Sequence, residues 1–257
     1  MIPIKDYPGP RRTMPWVTWG LILINVIVFV YQITLSPDDT QAFIFAYSVV
    51  PQALVHGVPQ TSLLAQHIAF QTPEPVYLTL ITAMFLHAGL LHIAGNMLYL
   101  FIFGDNVEDR MGHLPYLLFY LFCGVVAGVT QVVVDPNSTI PSLGASGAIA
   151  GVLAAYLVLF PLAKVRTIIF IFIFFTLVTL PAYILIGFWF LLQLFDGVAS
   201  LSTVQQGMGG VAYFAHVGGF VTGLVITFLL RSQLGPPPPV SYPYFPRHPN
   251  ATGPLGL

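Results

Sequence analysis

The sequence predicts an all-α polytopic membrane protein, a bundle of six transmembrane helices with a large interfacial first loop. Composition, the spacing of apolar runs and the placement of basic residues lead to this prediction. Of the 257 residues, 56% are hydrophobic and only 7% are charged, whereas a soluble domain carries about a quarter charged residues. The mean hydropathy of +0.85 agrees. Such a composition is typical of a chain embedded in lipid.

Apolar runs of suitable length define the elements, since a helix needs about 20 apolar residues to cross a bilayer. The six predicted spans are residues 16–35, 90–107, 115–134, 146–162, 167–195 and 214–230. Pro181 interrupts the fifth run, so its first half is expected to be interfacial or re-entrant, with 181–195 as the deep part. The insertion 36–88 is rich in proline and has only short apolar runs, which favours an amphipathic loop with short helices lying at the interface.

The basic residues set the predicted orientation. With six spans, all of them fall on the side of the N-terminus: Lys5, Arg11, Arg12, Arg110, Lys164, Arg166, Arg231 and Arg247. The positive-inside rule then places both termini in the cytoplasm. We expect a cytoplasmic segment 1–15, a membrane domain 16–232 and a disordered Pro-rich tail 233–257. The simple layout and the lack of an evident targeting segment favour a bacterial plasma membrane.

The sequence argues against nucleic-acid binding and against an intramolecular disulfide. The net charge of −1 and the lack of a basic cluster argue against nucleic-acid binding. The single cysteine, Cys123, lies in an apolar run and has no partner for an intramolecular disulfide.

Small residues recur at helical spacing in three of the spans. The pairs are Gly124 and Gly128 in the third span, Gly147 and Gly151 in the fourth, and Gly219 and Gly223 in the sixth. Pairs of this kind let membrane helices approach closely, so we expect close helix crossings there. For the serine between Ala145 and Gly147, helix packing is the first interpretation when the segment is considered alone.

Five polar side chains are predicted to lie at one depth on three spans. The second, fourth and sixth spans all run inwards from the outer face. At about 1.5 Å per residue, side chains near their beginnings lie within roughly 10 Å of the outer surface. These are His87, His92 and Asn96 at the second span, Ser146 at the fourth and His216 at the sixth. Because polar groups are costly inside a bilayer, their convergence indicates a functional site that opens to the outer face.

The residue types favour a hydrolytic site. Ser146 needs a base to remove its proton, and the imidazole of His216 is suitable because histidine titrates near neutrality. Neither span contains an acid that could orient the imidazole, which favours a dyad over a triad. The His92 and Asn96 side chains and the Ser146 N–H are candidate donors to an oxyanion, with Gly144 leaving room for the substrate carbonyl.

Each of these residues also has a simpler interpretation. Asn96 alone is better explained as an interhelical hydrogen-bond partner, and His87 is equally well explained as a loop histidine that caps the second span. A metal site is disfavoured, since no HExxH motif and no acid at this depth accompanies the histidines. The acids of 105–109 are interpreted as a capping and ion-pair cluster at the inner end of the second span.

At this point the sequence resembles the rhomboid family of intramembrane serine proteases. The resemblance rests on His87-x4-His92-x3-Asn96, on Gly144-Ala145-Ser146-Gly147 and on Ala215-His216-x2-Gly219-x3-Gly223, in this order, and covers about residues 80–230. It implies the six-helix rhomboid fold, Ser146 as nucleophile, His216 as general base, His92 and Asn96 in the oxyanion hole and His87 in support. It also implies single-span membrane proteins as substrates and neither metal nor cofactor.

Two positions depart from the family pattern. Ala150 stands where bacterial members carry a tyrosine that stacks on the catalytic histidine, so another group, such as a neighbouring aromatic, has to support His216. Leu78 and Thr79 stand where the first loop often has a Trp-Arg pair, so we expect this loop to be anchored differently.

The leading hypothesis is an intramembrane serine endopeptidase that cuts in or near the transmembrane helix of its substrate. A catalytically silent rhomboid-like binder of membrane proteins is the alternative. A transporter is a third possibility, disfavoured because the inner halves of the spans show no buried polar path.

Overall fold

The structure, a computed structural model, describes residues 1–9, 11–63, 70–171, 174–202 and 212–234. All but the first two residues of the predicted tail 233–257 lie outside this part of the chain. The helices are α1 (Trp16–Thr34), α2 (Pro37–Tyr47), α3 (Pro51–His56), α4 (Thr79–Thr82), α5 (Leu90–Tyr99), α6 (Asp105–Met111), α7 (His113–Val134), α8 (Ser146–Leu159), α9 (Ala182–Ser202) and α10 (Tyr213–Leu230). The strands are β1 (Ile2–Tyr7), β2 (Lys164–Ile171) and β3 (Phe174–Pro181). A π-helical stretch, Leu100–Gly104, makes α5 and α6 one continuous helix.

The helical membrane bundle predicted from the sequence is confirmed. Within the described residues, five helices are long and apolar enough to cross a bilayer: Trp16–Thr34, Leu90–Met111, His113–Val134, Ala182–Ser200 and Tyr213–Leu230. The sixth predicted span, α8, has 14 residues and therefore a length of only about 21 Å. Most of its residues are buried, because it lies at the centre of the bundle between α7 and α10. The count of six spans stays a prediction.

The first loop folds back onto the bundle through short helices, as expected. Its helices α2, α3 and α4 are joined by 3-10 turns, and Gln60 Nε2 donates to the carbonyls of Ala46 and Ser48 at 3.0 and 2.8 Å. The end of the loop reaches the segment before α8, where the Gly144 N–H donates to the Ala83 carbonyl at 2.8 Å. The loop thereby fixes the chain that leads into Ser146.

The first half of the predicted fifth span forms two antiparallel strands, a type of structure that the sequence did not indicate, and its interfacial position stays a prediction. Strand β2 pairs antiparallel with β3 from Lys164↔Pro181 to Ile171↔Phe174, and β1 pairs antiparallel with β2 on its other side. The segment is rich in Ile, Phe, Thr and Val, which suit a pleated strand. The membrane helix begins only after Pro181, at Ala182.

At the same end of the bundle, acids tie the N-terminal segment to the helices. The buried Glu108 carboxylate of α6 accepts the backbone N–H groups of Val17 and Thr18 at 2.9 and 2.8 Å, satisfying the first turn of α1. Asp105 forms an ion pair with Arg11 at 2.8 Å. This is the capping and ion-pair arrangement that the sequence indicated.

Glycines bring α8 and α10 into backbone contact. A Cβ added at Gly219 or Gly223 would collide with the carbonyl oxygen of Gly147 or Gly151, respectively. A Cβ on Gly147 itself would lie 2.6 Å from the Ala127 Cβ of α7. With no side chains between them, the two helices that carry Ser146 and His216 cross at the closest separation that helices allow.

Candidate active site

Ser146 and His216 meet where α8 and α10 begin. Ser146 is the first residue of α8, and His216 lies within the first turn of α10. The Ser146 Oγ is 2.7 Å from the His216 Nε2, and the imidazole is 8% exposed. Gln131 of α7 contacts the beginning of α10, where its Oε1 accepts a hydrogen bond from the Ala215 N–H at 3.3 Å. The glycine crossing thus places a hydroxyl in hydrogen-bond contact with an imidazole from another helix.

The other nitrogen of the same imidazole contacts α9. His216 Nδ1 lies 2.6 Å from the Oε1 of Gln193. A carboxamide oxygen only accepts hydrogen bonds, so Nδ1 carries the proton. Nε2 is then the unprotonated nitrogen, which accepts the Ser146 hydroxyl proton. This tautomer is the one that a general base needs.

An aromatic side chain of α9 covers the imidazole. The Trp189 ring lies 5.8 Å from the His216 ring between centroids, at an interplanar angle of 38°. Trp189 precedes Gln193 by four residues and therefore shares its helix face. Ala150, where the family pattern has a tyrosine, is fully buried. The side chains that flank the imidazole on this side come from α9.

Two donors lie beside the serine, next to Gly144. The buried Asn96 Nδ2 has no hydrogen-bond partner among the described residues, and it would lie 3.7 Å from a Cβ placed on Gly144. His92 Nδ1 accepts the Ala88 N–H at 3.3 Å, which leaves its Nε2 with the proton. The Ser146 N–H, in the first turn of α8, has no intrahelical acceptor. These groups are suited to binding a carbonyl oxygen that gains negative charge.

Gly144 takes a conformation that other residues rarely adopt. Its φ is +122°, and an added Cβ would lie 2.8 Å from the Cε1 and Nε2 of His92. Both the backbone angle and the approach of the ring require glycine here.

His87 is buried behind His92. It is 1% exposed, and its ring meets the His92 ring edge to face at 5.1 Å. Gln32 of α1 holds its backbone, accepting the N–H at 3.2 Å and donating to the carbonyl at 3.1 Å. Burial lowers the pKa of His87 to about 4, and the neighbouring His92 adds to this effect. His87 is therefore a buried ring that packs against His92 and takes up a proton less readily than a free histidine.

A narrow cleft opens beside the Ser146 hydroxyl. Its cavity volume is about 30 Å³, and small or apolar residues such as Ala83, Met84, Gly124 and Ala127 line it. In the part of the chain that the structure describes, no three His, Cys, Asp or Glu side chains are placed to share a metal ion.

Two of these residues were missed by the sequence analysis. Gln193 is the only amide or charged side chain in the apolar stretch 182–195, and a lone polar group in a membrane helix is a signal of function. The orienting group comes from a third helix and is an amide, whereas the sequence argument considers only acids on the two helices that carry Ser146 and His216. Trp189 gave no distinct signal among its aromatic neighbours.

Comparison with known proteins decides the family. The model of the rhomboid domain matches residues 74–233, which include Ser146, His216, His92, Asn96 and Gly144. The chain belongs to the rhomboid family. The resemblance noted in the sequence is thereby confirmed, and the protein is an integral membrane protein of that family.

Several rhomboid relatives align with the chain. It is 31% identical over 154 residues to "RHOMBOID-like protein 6, mitochondrial" of Arabidopsis thaliana, covering 60% of this chain and 44% of the relative. It is 31% identical over 144 residues to "Rhomboid protease GluP" of Bacillus subtilis, covering 56% and 24%. It is 28% identical over 92 residues to "Inactive rhomboid protein 1" of Drosophila melanogaster, covering 36% and 6%. The chain thus spans about half or less of these relatives.

Proposed function

We propose that this rhomboid-family protein is an intramembrane serine endopeptidase that uses a Ser146–His216 dyad. The observation that carries the proposal is the 2.7 Å contact between Ser146 Oγ and His216 Nε2. A hydroxyl bonded to the unprotonated nitrogen of a neutral imidazole is in position to lose its proton as it attacks a carbonyl carbon. The relative named a rhomboid protease adds support from the comparison.

The chemistry follows the usual course of acyl transfer. Ser146 Oγ bonds to the scissile carbonyl carbon while its proton passes to His216 Nε2. The carbonyl oxygen, now negative, is bound by the His92 and Asn96 side chains and the Ser146 N–H. His216 then gives its proton to the departing amine as the C–N bond breaks, leaving an acyl-serine. Water, deprotonated by His216, attacks the ester and releases the new carboxylate and the serine.

The proposed substrates are single-span membrane proteins. In a helix every carbonyl is bonded internally, so the segment that is cut has to unwind locally. Most of the residues that line the cleft beside Ser146 are alanines and glycines, with larger apolar side chains such as Met84 and Leu80 among them. This small, apolar lining favours a small side chain next to the scissile bond. Both termini are proposed to be cytoplasmic, with the cleft open to the outer face of a bacterial plasma membrane. The relatives come from plants as well as from Bacillus.

The test uses the purified protein reconstituted in vesicles with single-span model substrates. We expect cleavage by the wild type and its loss in Ser146→Ala and in His216→Ala. A fluorophosphonate should label Ser146 in the wild type, and labelling should disappear in His216→Ala. If both variants still cleave, the assignment of the dyad is wrong.

The second candidate is a rhomboid-like binder that does not cleave. The match to a relative named inactive is the observation that favours it. A wild type that binds the same model substrates but neither cleaves them nor reacts with the fluorophosphonate would establish this function instead.

A further inference from the structure

We propose that Gln193 is the positioning residue of the active site, so that Ser146, His216 and Gln193 form a hydrogen-bonded chain across three helices. The inference rests on the proposed function and extends it to a residue outside the dyad. The imidazole of His216 is bonded at both nitrogens, to Ser146 at 2.7 Å and to Gln193 at 2.6 Å. Each of the three side chains comes from a different helix.

The carboxamide performs the orienting role of a triad's acid without adding a charge. Its oxygen fixes the proton on Nδ1 and keeps Nε2 free for the serine. A carboxylate at this depth would bring a costly charge into the membrane. The neutral amide avoids that cost, but it stabilises the imidazolium formed during the reaction less than an acid does.

The surroundings of the His216 imidazole leave the hydrogen bond to Gln193 as the contact that determines which ring nitrogen carries the proton. His216 is buried, and Trp189 covers its ring from the same face of α9 that carries Gln193. If Gln193 is lost, the Nδ1–H is left in apolar surroundings. The proton can then move to Nε2, and a protonated Nε2 cannot accept the serine proton.

A structural role is the competing explanation. Interhelical hydrogen bonds help to hold membrane helices together, so Gln193 would then only help to hold α9 against α10. In that case its loss would lower stability and leave the reactivity of folded protein unchanged.

Two substitutions separate these roles. Gln193→Met keeps the length of the side chain but removes the acceptor, whereas Gln193→Glu keeps an acceptor oxygen. Leu191→Met is the control on the same helix, because Leu191 is 52% exposed. The measurements are the second-order rate of fluorophosphonate labelling at Ser146 and the melting temperature of the full-length protein in detergent.

For Gln193→Met we expect labelling to slow by about 10- to 100-fold, less than the roughly 100- to 10,000-fold of a complete general base because His216 itself remains. Its melting temperature should be near that of Leu191→Met. Gln193→Glu should recover most of the rate. Labelling of Gln193→Met at the wild-type rate would overturn this inference and leave the proposed function intact. A wild type that is never labelled would overturn the proposed function itself.

A different observation supports a second inference, that the end of the β-hairpin is seated in the lipid surface on the side of the N-terminus. Phe170, Phe174, Phe175 and Leu177 are 57%, 71%, 69% and 47% exposed. Near the base of the hairpin, by contrast, Val165 and Thr167 are fully buried. The hairpin therefore packs on the bundle at its base and projects beyond it with apolar side chains on both faces.

The connections of the hairpin place it at the membrane boundary. Strand β3 ends at Pro181 and α9 begins at Ala182, while β2 begins at Lys164, shortly after α8 ends at Leu159. Lys164 and Arg166 lie at the base, and Lys5 of β1 pairs with Arg166. Basic residues favour anionic headgroups, and aromatic residues favour the boundary with the acyl chains. A position at the lipid surface would place the basic residues at the base of the hairpin near the headgroups and its aromatic residues near the acyl chains.

The test places a fluorophore on the hairpin in vesicles that contain brominated phosphatidylcholine. Phe175→Cys is the labelling site, and Arg12→Cys, exposed on the same side, is the control; the native Cys123 is buried. We expect strong quenching at position 175 and little at position 12. Equal quenching at both positions, or disulfide cross-linking of Phe175→Cys between two copies, would overturn the inference.

Discussion

The Asp6 carboxylate of β1 accepts a hydrogen bond from the Tyr156 hydroxyl of α8 at 2.6 Å. The same oxygen accepts from Asn106 Nδ2 at 3.0 Å. The N-terminal strand is thereby attached to the central helix of the bundle, which carries Ser146 at its other end. Burial raises the pKa of Asp6 to about 6, although the bond from Tyr156 lowers it.

This shift predicts a pH-dependent stability. Because the folded state holds the Asp6 proton more tightly than the unfolded chain, its stabilising contribution is complete below about pH 4 and is lost as the pH rises through 6. Asp6→Asn cannot ionise, yet its amide oxygen still accepts from Tyr156. From pH 4 to pH 7, the free energy of unfolding of the wild type should fall relative to that of Asp6→Asn by on the order of 1–3 kcal/mol. The difference between their melting temperatures should change in the same direction. Asp38→Asn, at an exposed site, is the control, and a difference independent of pH would contradict the prediction.

Gly219→Ala should lower both stability and activity. The new methyl would collide with the Gly147 carbonyl oxygen, and overpacking of this kind costs about 1–3 kcal/mol. Separating α8 from α10 also lengthens the contact between Ser146 and His216. Thermal unfolding and fluorophosphonate labelling check the two effects. The matched control is Gly187→Ala in α9, where an added Cβ meets nothing within 4 Å; equal behaviour of the two variants would show that the crossing is looser than described.

Gly144→Ala should impair turnover more than folding. The left-handed φ costs about 1–2 kcal/mol with an alanine, and the methyl would displace the His92 ring that it meets at 2.8 Å. Loss of one oxyanion donor lowers kcat by about 100-fold or more. Gly95→Ala, in the helix that carries His92 and Asn96, is the control because its surroundings are open. Full activity of Gly144→Ala would remove Gly144 and His92 from the proposed oxyanion site.

Asn96→Ala should lower kcat with little change in KM or melting temperature. The Asn96 Nδ2 has no partner among the described residues, so its removal breaks no hydrogen bond of this nitrogen in that part of the chain. A donor that engages only in the transition state contributes about 100- to 1000-fold to kcat. Steady-state cleavage of a model substrate measures this. Asn25→Ala provides the comparison, since Asn25 is buried and its amide donates to the Leu21 carbonyl at 2.8 Å. If Asn96→Ala lost stability instead of kcat, Asn96 would be an interhelical hydrogen-bond partner.

The sequence predicts the bundle and the meeting of Ser146 with His216 because both follow from simple rules. Apolar runs reveal membrane helices, and parallel entry of three helices places their first turns at one depth. The geometry of Gly144 and the protonation of His92 depend on how the loop is attached at Ala83, which periodicity does not reveal. Gln193 is visible in the sequence but is assigned to His216 only when the rotation of α9 is known.

The strands were not predicted for a different reason. A continuous apolar run such as 167–180 satisfies the pattern of a membrane segment and that of a strand equally well. Its partner β1 lies about 160 residues earlier, and no local signal connects them. Pro181 marked the boundary correctly, but the type of structure before it depends on pairing across the chain.

The contact of α8 and α10 through bare backbone has a consequence for how this protein can change. Where side chains separate two helices, one substitution can be offset by another. Between Gly219 and Gly147 there is no side chain that a second substitution could shorten. A larger residue at either position therefore moves a whole helix, and the distance between Ser146 and His216 changes with it. Damage to packing is therefore transmitted directly to the spacing of Ser146 and His216. We expect stability and the proposed turnover to decline together at this crossing, and changes at Ser146 to lower the proposed turnover alone.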